Sequence, residues 1–294
     1  MMRNLWIMLL FMPILAWSQR DWRKIEIKRQ QVTDNISYLV GSGGNIGVLH
    51  GPEGIMIIDD QFAPLSEKIQ STIGEFAEGE FEFVLNTHYH GDHTGGNENF
   101  KNIGATIVGH DKVHERLSKG FKDDIRDRVI EAKPASFWPV ITFSSDMTFH
   151  FNGEEVNLVH VPAAHTDGDV LVHFKSSNVI HAGDAFVRYG YPFIDVAAGG
   201  SIDGIIEAQK KILELSNENT KIIPGHGEQA SIAEVKELLK MLEETRTIIA
   251  NAKASGTMLE DLIPEKPFAA YHERWNGNFI NSDLFVQLIY ESLP

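Results

Sequence analysis

His88-Tyr89-His90-Gly91-Asp92-His93 places four potential metal ligands within six residues, directly after the apolar run at 81–85. A short apolar run followed by turn-forming residues predicts a strand end, so these side chains belong to a loop at the edge of a sheet. The H-x-H-x-D-H order points to a hydrolytic metal centre, since imidazole nitrogens and carboxylate oxygens together suit zinc and related divalent ions. Three later positions give the stretch its weight: His165 in Pro162-Ala163-Ala164-His165-Thr166-Asp167-Gly168-Asp169, Asp184 in His181-Ala182-Gly183-Asp184, and His226 in Pro224-Gly225-His226-Gly227. A lone histidine is usually structural. Here five imidazoles and two carboxylates recur in the same local setting.

That setting is an apolar strand run ending just before each ligand: Val84-Leu85-Asn86-Thr87 before His88, Val159-His160-Val161-Pro162 before His165, Val179-Ile180-His181 before Asp184, and Ile222-Ile223-Pro224 before His226. Loops at the carboxyl ends of strands are where layered α/β proteins collect their ligands. Strands are also expected at 24–31, 36–40, 46–50 and 55–59, as one antiparallel meander, and at 105–109, 148–151, 155–161, 170–174, 178–182 and 221–223. Helical spacing of apolar residues predicts helices at 64–76, at 202–215 with Ser201 as N-cap, at 232–250, and at 283–293. Strand runs alternating with helices in both halves argue for two sheets with helices outside. No repeat and no low-complexity tract divides the chain, so residues 19–294 read as a single domain.

Residues 1–18 read as a secretory signal peptide: Met1-Met2-Arg3-Asn4, an apolar stretch at 5–17, and polarity returning at Ser18-Gln19-Arg20-Asp21. A bilayer crossing needs about 20 apolar residues, and Pro13 interrupts this run. Ala16 and Ser18 suit cleavage before Gln19, an uncleaved anchor being the alternative. Cleavage would leave no stable membrane span and a periplasmic or secreted protein. The chain has no cysteine, which excludes a disulfide framework and lipid attachment at a cysteine. With 26 Lys and Arg against 41 Asp and Glu, the net charge of −15 argues against nucleic-acid partners. A small-molecule substrate is expected, and oligomeric state leaves no mark on the sequence.

The ordered set H-x-H-x-D-H, later His, later Asp, still later His resembles the metallo-β-lactamase fold superfamily across roughly 46–227. The resemblance implies an α/β fold, an αββα four-layer sandwich with the site at its edge. It also implies His88, His90 and His165 on one metal, Asp92, His93 and His226 on a second, and Asp184 bridging them. Asp59 matches the strand-end Asp that would hold a ligating histidine through its second nitrogen. Two zinc ions, with iron or manganese as alternatives, would sit about 3.5 to 4 Å apart and bring the pKa of a shared water toward about 7. The resulting bridging hydroxide would attack a carbonyl carbon, with Asp92 as the catalytic residue orienting it.

The resemblance divides on substrate. β-Lactam hydrolases of the superfamily mostly carry Cys or Ser at the bridging position, whereas lactonases and thioesterases such as glyoxalase II carry an Asp like Asp184. Yet Asp92-His93-Thr94-Gly95-Gly96-Asn97 and 165–172 look closest to the β-lactamase-type branch, making a β-lactam the first candidate and a lactone or thioester the alternative. A mononuclear iron oxidoreductase resembling persulfide dioxygenases is a second alternative, and a catalytically dead binding module a third. Arg188 is expected to meet a substrate carboxylate, and Tyr189, Tyr191 and Phe193 to wall the metals. His110-Asp111-Lys112-Val113-His114 has helical zinc spacing without the catalytic Glu and reads as a helix surface. Residues 119–145 carry no readable pattern.

Overall fold

Two β-sheets face each other across an apolar layer in the computed structural model, which describes residues 20–277 and 279–294. The expected signal segment at 1–18 lies outside the described residues. Strands β1 (Lys28–Gln31), β2 (Ile36–Val40), β3 (Ile46–Gly51) and β4 (Gly54–Ile58) form the antiparallel meander. β5 (Phe81–Asn86), β6 (Thr106–His110) and β9 (Ile141–Phe143) then add in parallel, completing a seven-stranded sheet. The hairpin of β7 (Phe121–Asp123) and β8 (Arg128–Ile130) stands apart. The second sheet runs β10 (Met147–Phe151), β11 (Glu154–His160), β12 (Val170–Phe174), β13 (Val179–His181) and β14 (Lys221–Ile223), antiparallel except for its last pair.

Helices cover both outer faces: α1 (Ser66–Gly74), α2 (Gly91–Thr94), α3 (Asn97–Asn102), α4 (Asp111–Lys119), α5 (Ile202–Leu215), α6 (Ile232–Ala254), the single turns α7 (Leu259–Leu262) and α8 (His272–Trp275), and α9 (Ser282–Ser292). The result is the expected αββα sandwich. β4 shows why its sequence is unbroken in hydrophobicity: Met56 and Ile58 face the inter-sheet core while Ile55 and Ile57 face the helix side with Ile69 and Ile73. The second sheet's outer face packs Leu171, Ile180 and Ile222 against Ile205, Ile212, Leu238, Leu242 and Phe285. Among the described residues no helix is long and apolar enough to cross a membrane.

Sequence and structure part company at the margins. The strand expected at 24–31 starts only at Lys28, because a 3-10 turn at Trp22–Lys24, capped by the Asp21 side chain, precedes it. The helix expected from 64 begins as a 3-10 turn, Ala63–Leu65. Segment 119–145 holds the β7–β8 hairpin and β9, whose three-residue strands are too short to show a period. His110 is a buried N-cap stacked on His160 at 3.8 Å, not part of a helix surface.

Candidate metal centre

β4, β5, β11, β13 and β14 all end at one edge of the sandwich, and the loops that leave them carry the site. After β5 the chain turns so that His88 Nε2 lies 3.1 Å from His90 Nδ1, which is 2.9 Å from His165 Nε2. The outer nitrogens fix the tautomers. His90 Nε2 donates to Asp195 Oδ2 at 2.8 Å and His165 Nδ1 to the Phe193 carbonyl at 2.7 Å. Thr87 Oγ1 donates to Asp59 Oδ2 at 2.7 Å, so it accepts from His88 Nδ1 at 3.1 Å. Each inner nitrogen is therefore a bare lone pair. Three lone pairs converging in a buried space repel one another unless a cation lies between them.

The second group is built on α2, whose first turn supplies Asp92 and His93. His93 Nδ1 donates to Asp59 Oδ2 at 2.7 Å, leaving Nε2 3.3 Å from His226 Nε2. Asp92 Oδ2 is 3.3 Å from the same His226 nitrogen. Asp184 stands between the groups: Oδ1 is 3.3 Å from His93 Nε2 and 3.5 Å from His226 Nε2, and Oδ2 is 3.7 Å from His165 Nε2. Ligand atoms within each set, His88, His90, His165 and Asp184 in one and Asp92, His93 and His226 in the other, all lie within 4.8 Å of one another. Asp59, fully buried with φ of +64°, serves both sets, directly at His93 and through Thr87 at His88.

The donor set fits a pair of divalent cations. Asp184 Oδ1 is buried and accepts no hydrogen bond, an orphan that a metal would satisfy. Burial depresses His88 and His90, keeping their imidazoles neutral as metal ligands must be. Burial would depress His93 too, but Asp184, Asp59 and Asp92 outweigh it and lift His93 well above the ordinary imidazole value. Burial pushes Asp184 up, yet His226 and His93 hold it well below the usual carboxylate range. The centre thus calls for positive charge. Gly225 makes room for the Asp184 carboxylate, since a Cβ there would collide with Asp184 Oδ1.

A family model described as the metallo-beta-lactamase superfamily matches residues 41–226. The chain belongs to that superfamily. A hydroxyacylglutathione hydrolase from Pelagibacter ubique (strain HTCC1062) is 29% identical over 146 residues, 49% of this chain and 51% of its own. The chain thus spans about half the length of this curated relative. Among solved structures, a metallo-beta-lactamase from Pontibacter korlensis superposes with a TM-score of 0.61 at 16% identity, covering 74% of this chain and 99% of that one. The DIM-1 metallo-beta-lactamase gives 0.59 at 17% identity, with 75% and 99% covered. At these identities the likeness is one of fold.

Over the site of this superfamily member lies a cavity of about 660 Å³ that reaches His90, Asp92, Asp184 and His226. Tyr189 and Phe193 wall it, Tyr189 setting its ring against His226 at 5.6 Å. Two expected substrate contacts are corrected. Arg188 turns away from the cavity, and its guanidinium donates to the Glu228 and Gln229 carbonyls and approaches Glu234 at 3.8 Å, tying down the loop after His226. Tyr191 is fully buried and stacks on Phe285 at 4.5 Å, because Gly190, at φ of +130°, swings the chain inward. Sequence reasoning missed Asp195 and Thr87, which hold imidazoles, and the cavity's cationic rim of Arg116, Arg126, Arg128 and Lys133. Nothing in the sequence distinguishes the charged residues among these from surface charges, since Asp195 and Arg126 meet only through the hairpin's unread course.

Proposed function

We propose that this chain is a dinuclear zinc-dependent hydrolase acting on a small molecule with a cleavable carbonyl, a β-lactam being the first candidate. The carrying observation is the placing of ligand atoms about Asp184, with three histidine nitrogens on one side of this buried carboxylate and two histidine nitrogens with the Asp92 oxygen on the other. Zinc bound there would supply an acidified water and a Lewis acid for the carbonyl oxygen. The rest falls to the protein. Asp92 keeps 30% of its side chain exposed toward the cavity and is held below the ordinary carboxylate range by His93 and His226 against the effect of burial, so it stays an acceptor that orients the attacking water. Burial and Asp184 keep the Tyr189 phenol protonated, leaving it a donor beside the reacting carbonyl. Phe62, Phe193 and Phe279 exclude water around the substrate body.

A thioester or lactone is the second reading, favoured by an oxygen ligand, Asp184, at the bridging position and by the likeness to a hydroxyacylglutathione hydrolase. Iron in one half alone, with oxygen uptake on persulfides, is the third, and the presence of two candidate ligand sets speaks against it. Metal analysis of the purified protein, with nitrocefin, homoserine lactones and thioesters assayed side by side, separates these. Two zinc ions per chain with turnover of one class supports the proposal. One iron with oxygen uptake, or full metal content with no hydrolysis across the panel, overturns it. We also propose export of the chain after cleavage before Gln19, which the amino-terminal sequence of material from the cell envelope would test.

A further inference from the structure

We propose that Arg126 is a positioning residue for one half of the metal centre, so that the β7–β8 hairpin at the cavity mouth governs how tightly the His88, His90 and His165 half holds its ion. The proposal rests on the dinuclear reading above. Asp195 is a carboxylate only 1% exposed, whose Oδ2 accepts from Tyr89 Oη at 2.6 Å and from His90 Nε2 at 2.8 Å. A buried carboxylate needs a compensating cation. Arg126 provides it, donating from Nη2 to Asp195 Oδ1 at 3.1 Å.

The same guanidinium lies 4.5 Å over the Phe193 ring, and the Phe193 carbonyl is the acceptor that orients His165. The Asp195 amide in turn donates to the His165 carbonyl at 2.8 Å. Segment 193–195 therefore sets two of the three imidazoles in this half, and Arg126 grips it at both ends. Arg126 is itself fixed from within the hairpin: its amide donates to Asp123 Oδ1 at 3.1 Å and its Nε to Asp123 Oδ2, and Asp123 is fully buried. Separate nitrogens for Asp123 and Asp195, plus a flat face on Phe193, form a geometry a guanidinium meets and an ammonium does not. In the other half, His93 hangs on Asp59 at the end of β4, far from the hairpin in sequence and bonded to none of it.

The test is release of metal from the zinc-loaded protein to an excess of chromophoric chelator, followed as two phases. His165→Ala, which deletes a ligand of one half only, identifies the phase belonging to that half. Arg126→Ala is expected to speed that phase about tenfold, the lower end of effects seen when partners of metal ligands are removed. The other phase stays unchanged. Arg126→Lys is expected to restore part of the loss, and Arg126→Gln to behave as Arg126→Ala should the alanine variant not fold. Arg128→Ala, which shares Asp123 at 3.1 Å but does not bond Asp195, leaves both phases as they were. Unchanged release in Arg126→Ala and Arg126→Gln from a protein that binds two zinc ions overturns this inference alone. So does equal acceleration by Arg128→Ala, which would make the hairpin merely structural. A wild-type protein that holds no metal overturns the inference and the proposed function together.

Discussion

The two halves of the metal centre differ in how they are walled. Every imidazole in the His88, His90 and His165 half has an acceptor on its outer nitrogen, and His88 and His165 are buried. In the other half only His93 is so held, while Asp92 and His226 keep 30% and 25% of their side chains exposed to the cavity. The first half is a fixed seat. The second is the more open to the cavity, with fewer of its side chains held from behind.

Substituting what the halves share should erase the difference between them. Asp184→Ala removes the carboxylate whose two oxygens approach both sets; bound metal is expected to fall below two per chain, and kcat/KM to drop by more than about a hundredfold, beyond what partners of ligands usually account for. Retention of two ions and full turnover would contradict the bridging geometry. Asp59→Asn loosens His93 directly and His88 through Thr87, so both halves should lose affinity by about 10- to 100-fold in metal titrations. Loss from one half only would show that Thr87 does not relay the contact.

A smaller effect sharpens the comparison through the loop bearing His165. Asp169 accepts from the Thr166 amide at 2.8 Å and hydroxyl at 2.6 Å, and burial pushes its carboxyl up to about 7 despite those donors. The folded state then keeps a proton that the unfolded chain releases near its ordinary value of 3.8. Stability from this group is full below that value, falls as pH rises to about 7, and is level beyond, a change on the order of a few kcal/mol. Denaturant titrations from acid to neutral pH should show this decline in the wild type and a flatter profile in Asp169→Asn. Smallest of all, Arg188→Ala should leave KM for an anionic substrate unchanged, because its guanidinium serves carbonyls outside the cavity. A raised KM would return Arg188 to the substrate.

The seven candidate ligands were legible because each follows an apolar strand, and strand ends in a layered fold share an edge; which of them group together, His226 with His93 across 133 positions, came from the family resemblance. The start of α5 was equally readable from its hydroxyl cap, Ser201, whose side chain accepts from the first turn. What escaped depends on direction, not on residue type. Arg188 and Tyr191 lie next to the site in sequence, yet one positive φ at Gly190 decides that Tyr189 faces the cavity and Tyr191 the core. Asp195 and Arg126 escaped for the complementary reason: each is an ordinary charge until a hairpin with three-residue strands brings them together.

The candidate ligands come from both sheets, His88, His90, Asp92 and His93 following β5, and His165, Asp184 and His226 following β11, β13 and β14. In a chain without cysteine, bound ions would therefore act as a rivet through the open seam of the sandwich, a cross-link made of coordination instead of sulfur. Stripping them should let the two leaves part first at that seam, well before the helical flanks unravel.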